Sequence, residues 1–134
     1  MYSSRAAVPA SSQCQATILI PVLAQQDEWL RQCVLSAVGQ SVPTEVLVVT
    51  SPRTPPANRR LLAELEAEHH RLRVLTQPQG TGYARAFNVG IENAAAERVG
   101  FLLSDDWLEP DAAASCLEHD ADIVSTGLIL YDAE

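Results

Sequence analysis

The sequence predicts an α/β domain: a doubly wound, mostly parallel sheet with helices on both faces. Three observations lead there. Five short runs, ATILIPV, EVLVVT, LRVLT, RVGFLL and DIVSTGLIL, are rich in β-branched and apolar residues. They are continuously apolar rather than alternating, as strands buried on both faces must be. Segments with helical spacing separate them, and that alternation calls for right-handed crossovers and parallel pairing.

The elements follow in order. Residues 1–15 carry Ser, Ala and Gln without periodicity and read as a disordered leader. Thr17 to Val22 is the first strand, closed by Pro21 and followed by the polar AQQDE. Asp27 is a candidate cap for a helix whose Trp29, Leu30, Cys33, Val34, Ala37 and Val38 fall on one face, with Gly39 and Pro43 ending it. Glu45 to Thr50 is the second strand. After SPRTPPA comes a charged helix from Asn58 to about His70, with Leu61, Leu62 and Leu65 inward. Leu72 to Thr76 is the third strand, and QPQGTG is a loop. Tyr83 to Ala96 is a helix with Ala86, Phe87, Gly90, Ile91, Ala94 and Ala95 inward. Arg98 to Leu103 is a fourth strand, Asp111 to about Glu118 a short helix, and Asp122 to Leu130 a fifth strand. The final YDAE offers no closing element, so the chain is expected to be a piece of something longer.

Bulk properties narrow the function. A chain of 134 residues suits one domain, residues 16–134, and 47% hydrophobic against 19% charged residues gives it a real core. The formal charge of −8 argues against nucleic acid as a partner, while leaving room for a small phosphorylated ligand bridged by a cation. No apolar run approaches the roughly 20 residues of a membrane span, and MYSSRAAVPASSQ lacks a secretory apolar region. A cytoplasmic location is expected, the inner face of the membrane included. Cys14, Cys33 and Cys116 are scattered and read as incidental thiols. His69 and His70 read as surface groups near a helix end, and His119 beside Asp120 as a dyad on paper only.

The chemistry concentrates in FLLSDDWLEPD, residues 101–111. Ligand crevices of open α/β sheets lie beyond the carboxyl ends of strands, and Asp105 and Asp106 stand at such an end. Adjacent carboxylates repel unless a cation or donors compensate them, and Mg²⁺ or Mn²⁺ binds through one or two carboxylates plus phosphate oxygens. The plainer alternative is that Asp105 caps a turn, Asp106 is solvated and Pro110-Asp111 starts a helix; Asp111 is a capping residue on either reading. The loop after the first strand, PVLAQQ, is not a dinucleotide-binding G-x-G-x-x-G, and the second strand ends without the acid a signalling receiver needs.

Three segments together carry a resemblance. ILIPVLAQQDEWLRQCVLSAVGQSVPTEVLVV, with Leu30, Ser36 and Gln40, is similar to the opening strand, helix and second strand of family 2 glycosyltransferases. GYARAFNVGI resembles that family's G-x-x-x-A-x-N-x-G-I helix start, and FLLSDDWLEPDA its F-L-D-S-D-D-x-L-x-P-D-A segment. The resemblance runs from about Ala16 to the last residue and implies a Rossmann-like GT-A fold, truncated before the acceptor-binding part. It implies a nucleotide-diphosphate sugar as donor, a divalent metal (Mn or Mg), and inverting transfer to an acceptor hydroxyl on a glycan, lipid or small molecule. It assigns donor binding to Pro21, Thr50, Ser51, Gly82, Arg85, Asn88, Ser104 and Asp105, with Asp105 and Asp106 on the metal.

The sequence also departs from the pattern. Leu103 stands where the family has the first Asp of D-S-D, and Thr50 and Ser51 replace acids expected to contact base and ribose. Phe87 replaces an Arg, with Arg85 two residues earlier, and Ala24 and Gln25 replace the usual Asn and Glu. The general base of inversion is expected beyond Glu134, so this polypeptide alone is expected to be inactive. A non-catalytic binding domain with a degenerate donor site is the alternative. An open sheet edge makes self-association a further expectation.

Overall fold

The computed structural model describes residues 14–78, 80 and 82–131. Most of the expected leader, residues 1–13, lies outside the described residues, as do Gln79 and Thr81 of the QPQGTG loop and residues 132–134. Gln15 is already bonded, its N–H donating to the Pro43 carbonyl at 2.9 Å.

Among the described residues eight elements follow one another: β1 (Ala16–Val22), α1 (Asp27–Val38), β2 (Thr44–Thr50), α2 (Pro56–Glu68), β3 (Leu72–Thr76), α3 (Tyr83–Asn93), β4 (Val99–Phe101) and α4 (Ala112–Leu117). The strands form one sheet in the order β3-β2-β1-β4, with β1–β2, β2–β3 and β1–β4 all parallel. Chain direction across the sheet therefore reverses at β1. The first three strands step one way, and α3 then carries the chain back to the other side of β1.

Burial explains the layering. In β1, Ile18, Ile20 and Val22 face α1 and α2, where they meet Leu30, Val34, Leu61, Leu62 and Leu65. Leu19 faces α3 with Leu47, Val49, Leu75, Ala86 and Val89. Both faces of the central strands are thus covered, which is why their sequences are apolar without alternation.

α3 approaches the sheet very closely at Gly90. A Cβ there would stand 2.7 and 2.8 Å from the two Leu19 methyls. The amino end of the sheet is tied by a buried polar cluster. Glu45, 1% exposed, accepts from Thr17 Oγ1 and Ala95 N at 2.8 Å each and pairs with Arg73 at 3.3 Å. Arg73 also donates to the Asn93 carbonyl at 2.8 Å, so this cluster fixes the end of α3.

Several expectations need correction. The run 122–130 is not a strand: it joins no sheet, and Ile123, Leu128 and Leu130 are 89, 78 and 85% exposed. A continuous apolar run acquires strand geometry only when an edge pairs with it, and here it turns instead across the carboxylate loop. β4 is three residues long rather than six, because Leu102 is the last residue bonded to β1. α3 ends at Asn93, its buried face is Ala86, Val89, Gly90 and Asn93 with Ala94 buried just beyond, and Ile91 points outward. Trp29 of α1 is also largely outside the core, at 38% exposure. Neither Asp27 nor Asp111 makes a side-chain capping bond; Asp27 lies inside α1 and accepts from Asn58 Nδ2 at 2.8 Å.

Gly90→Ala would force α3 away from Leu19 or push Leu19 off its rotamer, a strain of about 1–3 kcal/mol. Urea unfolding monitored by circular dichroism should show that loss. An unchanged midpoint would mean that the helix–sheet spacing is not set at Gly90.

Candidate functional site

Strand pairing itself opens the crevice. Thr17 and Leu19 turn their peptide groups toward β4, with Thr17 N donating to the Arg98 carbonyl at 2.9 Å and the Leu19 carbonyl accepting from Leu102 N at 3.0 Å. By the two-residue period the next N–H on that side belongs to residue 21, which is proline and has none. β1 continues along β2 to Val22↔Thr50, while its pairing with β4 stops at Leu19↔Phe101. The two strands part at the point where chain direction reverses, the position at which doubly wound sheets bind ligands.

The loop leaving β4 is anchored from α1 and the residues just past its end. Leu108 N donates to Ser36 Oγ at 3.0 Å. Gln40 is 9% exposed; its Nε2 donates to the Glu109 carbonyl at 2.8 Å and its Oε1 accepts from Ala113 N at 2.8 Å. Ser41 N adds a bond to the Pro110 carbonyl at 2.9 Å. The Ser36 and Gln40 of the opening-helix motif are therefore the struts of the carboxylate loop. Across the crevice, Gln25 Nε2 donates to Ser104 Oγ at 3.1 Å, joining the loop after β1 to the loop after β4.

Within that loop, Asp106 N donates to the Leu103 carbonyl at 3.0 Å, closing a tight turn that presents Asp105 and Asp106 to solvent. Asp106's carboxyl is raised above its ordinary value, first by burial and then by the charge of Asp105. Cys33 lies beneath, its Sγ donating to the same Leu103 carbonyl at 3.4 Å. Burial, then Asp106 and Asp105, push its thiol up to about 12, so Cys33 is a neutral donor and a poor nucleophile.

An open cavity of about 940 Å³ lies beside the turn, with Asp105, Asp106, Leu103 and Trp107 in its wall. Residues 124–131 line its other side, and Tyr131 lies against Trp107 with ring centroids 5.1 Å apart. Among the described residues no group of three or more His, Cys, Asp and Glu side chains is gathered for a metal. The two carboxylates nevertheless suit a hard ion that takes the rest of its shell from phosphate oxygens and water, since the ion pairs among the described residues include neither of them.

The other expected donor-site residues lie elsewhere. Pro21 and Ser51, with Gln77 and Tyr83, surround a second hollow of about 10 Å³, room for no more than a water molecule. Thr50 is 1% exposed, its hydroxyl bonded to the Leu75 carbonyl at 3.2 Å and Thr76 Oγ1 at 3.0 Å. Ser51 Oγ accepts from Arg53 N at 3.0 Å, and its carbonyl accepts from Arg59. Gly82, Arg85 and Asn88 are exposed at the start of α3. Arg85 folds over Gly80, whose φ of 76° turns the loop and whose hypothetical Cβ would stand 3.2 Å from Arg85 Cδ. Asp120 faces Arg98 at 3.8 Å, with His119's carbonyl also accepting from Arg98.

Sequence reasoning passed over Gln25 and Asn58 as structural parts of the site. Asn58, 2% exposed, accepts from Gln25 N at 3.0 Å and donates to the Gln25 carbonyl at 2.8 Å, holding the loop after β1. An amide at the head of an otherwise apolar helical face was the available signal.

With this geometry in place, comparison with known proteins is decisive. The model of glycosyl transferase family 2 matches residues 17–130. The chain belongs to that family. It is 29% identical over 111 residues to the glycosyltransferase GlyA of Streptococcus pneumoniae, covering 80% of this chain and 16% of that protein. It is 31% identical over 91 residues to the chondroitin synthase of Pasteurella multocida, covering 68% of this chain and 9% of that one. The family 2 domain described here thus spans less than a fifth of either relative.

Among solved structures, the mannosyltransferase PcManGT of Pyrobaculum calidifontis, in complex with GDP-Man and Mn²⁺, superposes with a TM-score of 0.70 at 21% identity. That match covers 81% of this chain and 32% of the other. Staphylococcus aureus TarS 1–349 with UDP-GlcNAc gives a TM-score of 0.62 at 24% identity, over 87% of this chain and 37% of the other. Both are likenesses of fold, and they fix the GT-A architecture. No helix among the described residues is long and apolar enough to cross a membrane.

Two outcomes test the site. Gln40→Ala removes a donor and an acceptor from the loop and should cost about 1–3 kcal/mol, with faster amide exchange over residues 108–113; unchanged exchange there would deny Gln40 its role as a strut. The second concerns pH. A carboxyl with a raised folded pKa gives stability that is present below its ordinary value of 3.8 and lost as pH rises through the folded value. Protons would compete with any cation held at Asp106. A rise in Tm produced by Mn²⁺ should therefore fade on acidification while still above 3.8, and Asp106→Asn should flatten that fade. A Mn²⁺ effect independent of pH would contradict this.

Proposed function

We propose that this chain is the donor-binding half of a glycosyltransferase that moves a sugar from a nucleotide diphosphate to an acceptor hydroxyl with inversion. The observation that supports it most is the Asp105–Asp106 turn, braced by Ser36 and Gln40 at the parting of β1 and β4. The solved relatives with GDP-Man and Mn²⁺ and with UDP-GlcNAc make a guanosine or uridine diphosphate sugar the natural class of donor.

On this reading Asp105 is the principal metal ligand and Asp106 its neighbour and alternate. A bound divalent ion would offset the charge of the departing diphosphate. Gln25 and Ser104 keep the two loops in register across the crevice. The amide of Gly82 and the guanidinium of Arg85, both exposed at the head of α3, would receive phosphate oxygens. Asn88 and Pro21 complete the proposed donor wall. The acceptor, a glycan, lipid or small molecule, and the general base belong to the rest of a longer protein, in keeping with the length of the relatives. A cytoplasmic site of action, reaching to the inner face of the membrane, fits a nucleotide-sugar donor.

A second reading has its own support. The Thr50 and Ser51 hydroxyls that replace the family's acids are both engaged internally, and Leu103 puts an apolar wall beside the carboxylates. That is how a scaffold that has lost its donor would look. Calorimetric titration of UDP and GDP, with and without Mn²⁺, separates the two. Metal-dependent binding abolished by Asp105→Ala is expected for the donor-binding half. Absence of binding by either nucleotide would leave the non-catalytic domain.

A further inference from the structure

The bridge across the crevice has a fixed polarity. Gln25 Nε2 donates to Ser104 Oγ at 3.1 Å, although a carboxamide turned by half a revolution would present its oxygen instead. The next peptide group forbids that turn. Gln26 N–H, which can only donate, gives its hydrogen to Gln25 Oε1 at 2.9 Å. The amide oxygen is therefore held at Gln26, and the NH₂ end is the one that reaches Ser104.

The backbone that carries this amide is held in the same way. Asn58, 2% exposed, accepts from Gln25 N at 3.0 Å, which fixes its own amide. Asn58 Nδ2 then donates to the Gln25 carbonyl and to Asp27 Oδ1, at 2.8 Å each. Neither amide can flip without breaking a bond to a backbone N–H. The polarity of the bridge is thus set from a buried residue near the start of α2.

That polarity decides what Ser104 can do. A hydroxyl has one hydrogen and two lone pairs. Toward Gln25 the Ser104 oxygen is an acceptor, so its hydrogen is directed to a different oxygen. Ser104 and Asp105 are the two central residues of the turn closed by the Asp106 N–Leu103 carbonyl bond. A diphosphate carried by an ion on Asp105 would bring phosphate oxygens, strong acceptors, beside that hydroxyl. With glutamate at position 25, as is usual in the family, the carboxylate would accept the same hydrogen and keep it inside the bridge.

We propose that Gln25 is a positioning residue whose amide, held by Gln26 N–H, leaves Ser104 Oγ–H to donate to a phosphate oxygen of a nucleoside diphosphate at Asp105. Ser104 is the group that touches the ligand, and Gln25 acts through it. This rests on the donor-binding reading and adds to it a named partner for one phosphate oxygen.

Calorimetric titration of UDP and of GDP with Mn²⁺ tests it, on wild type, Ser104→Ala, Gln25→Glu and the double variant. Gln25→Glu keeps both bonds of the bridge with one of them reversed, so circular dichroism and Tm should stay near those of wild type. It should nevertheless weaken the nucleotide that wild type binds by about tenfold, and so should Ser104→Ala, the scale of one hydrogen bond to a charged group. The double variant should bind no more than about threefold weaker than either single one, because both remove the same donated hydrogen. Ser104→Ala binding as tightly as wild type would overturn the inference and leave the donor reading intact. So would Gln25→Glu costing the same factor whether position 104 carries serine or alanine, which is what charge repulsion alone produces. Binding of neither nucleotide by wild type would remove the donor reading, and this inference with it.

Discussion

The carboxylate turn of this domain depends on two side chains, Ser36 of α1 and Gln40 just past the end of that helix. Ser36 and Gln40 bond the peptide groups of residues 108, 109 and 113, and no strand or long helix otherwise holds that stretch. A loop with orphan backbone groups near a buried surface would be costly. Here the donors and acceptors of one amide and one hydroxyl take them up, so the turn emerges from β4 in one defined direction. α1 is itself immobilised by Leu30, Cys33, Val34 and Ala37, all fully buried against the sheet. Rigidity thus passes from the core through α1 to Asp105 and Asp106.

Pro21 supplies the complementary negative constraint. Without an N–H at that position β1 cannot continue its ladder with β4, so the parting of the strands is a covalent property of the chain. Gln25, held by the buried Asn58, then spans the resulting gap to Ser104. The site is therefore built by withholding one hydrogen bond and by placing a few others across it.

Much of this was legible in the sequence, for identifiable reasons. β1 and β2 are buried along their whole length and β3 in part, and such strands announce themselves as largely apolar runs, so their limits fall within a residue of those expected. The family of the chain was carried by FLLSDDWLEPD, GYARAFNVGI and the opening strand and helix, all local patterns. What escaped were properties that need a neighbour. DIVSTGLIL has strand composition, but composition does not supply an edge. The Thr50 hydroxyl was free to bind a ligand until β3 put the Leu75 carbonyl within reach. Glu45 reads as a polar strand residue, and only the packed sheet reveals it as the centre of a buried cluster joining Thr17, Arg73 and the end of α3. Ile91 was misplaced because the buried face of α3 runs through Ala86, Val89, Gly90 and Asn93, a phase that turns residue 91 outward.

The central claim is that the braced turn is a metal–diphosphate site. Anomalous diffraction from crystals grown with Mn²⁺ and a nucleoside diphosphate tests it most directly. The account predicts an anomalous peak within bonding distance of an Asp105 carboxylate oxygen, with diphosphate oxygens on the same ion. A bound nucleotide with no ion at Asp105 or Asp106, or an ion held by other residues, would contradict it.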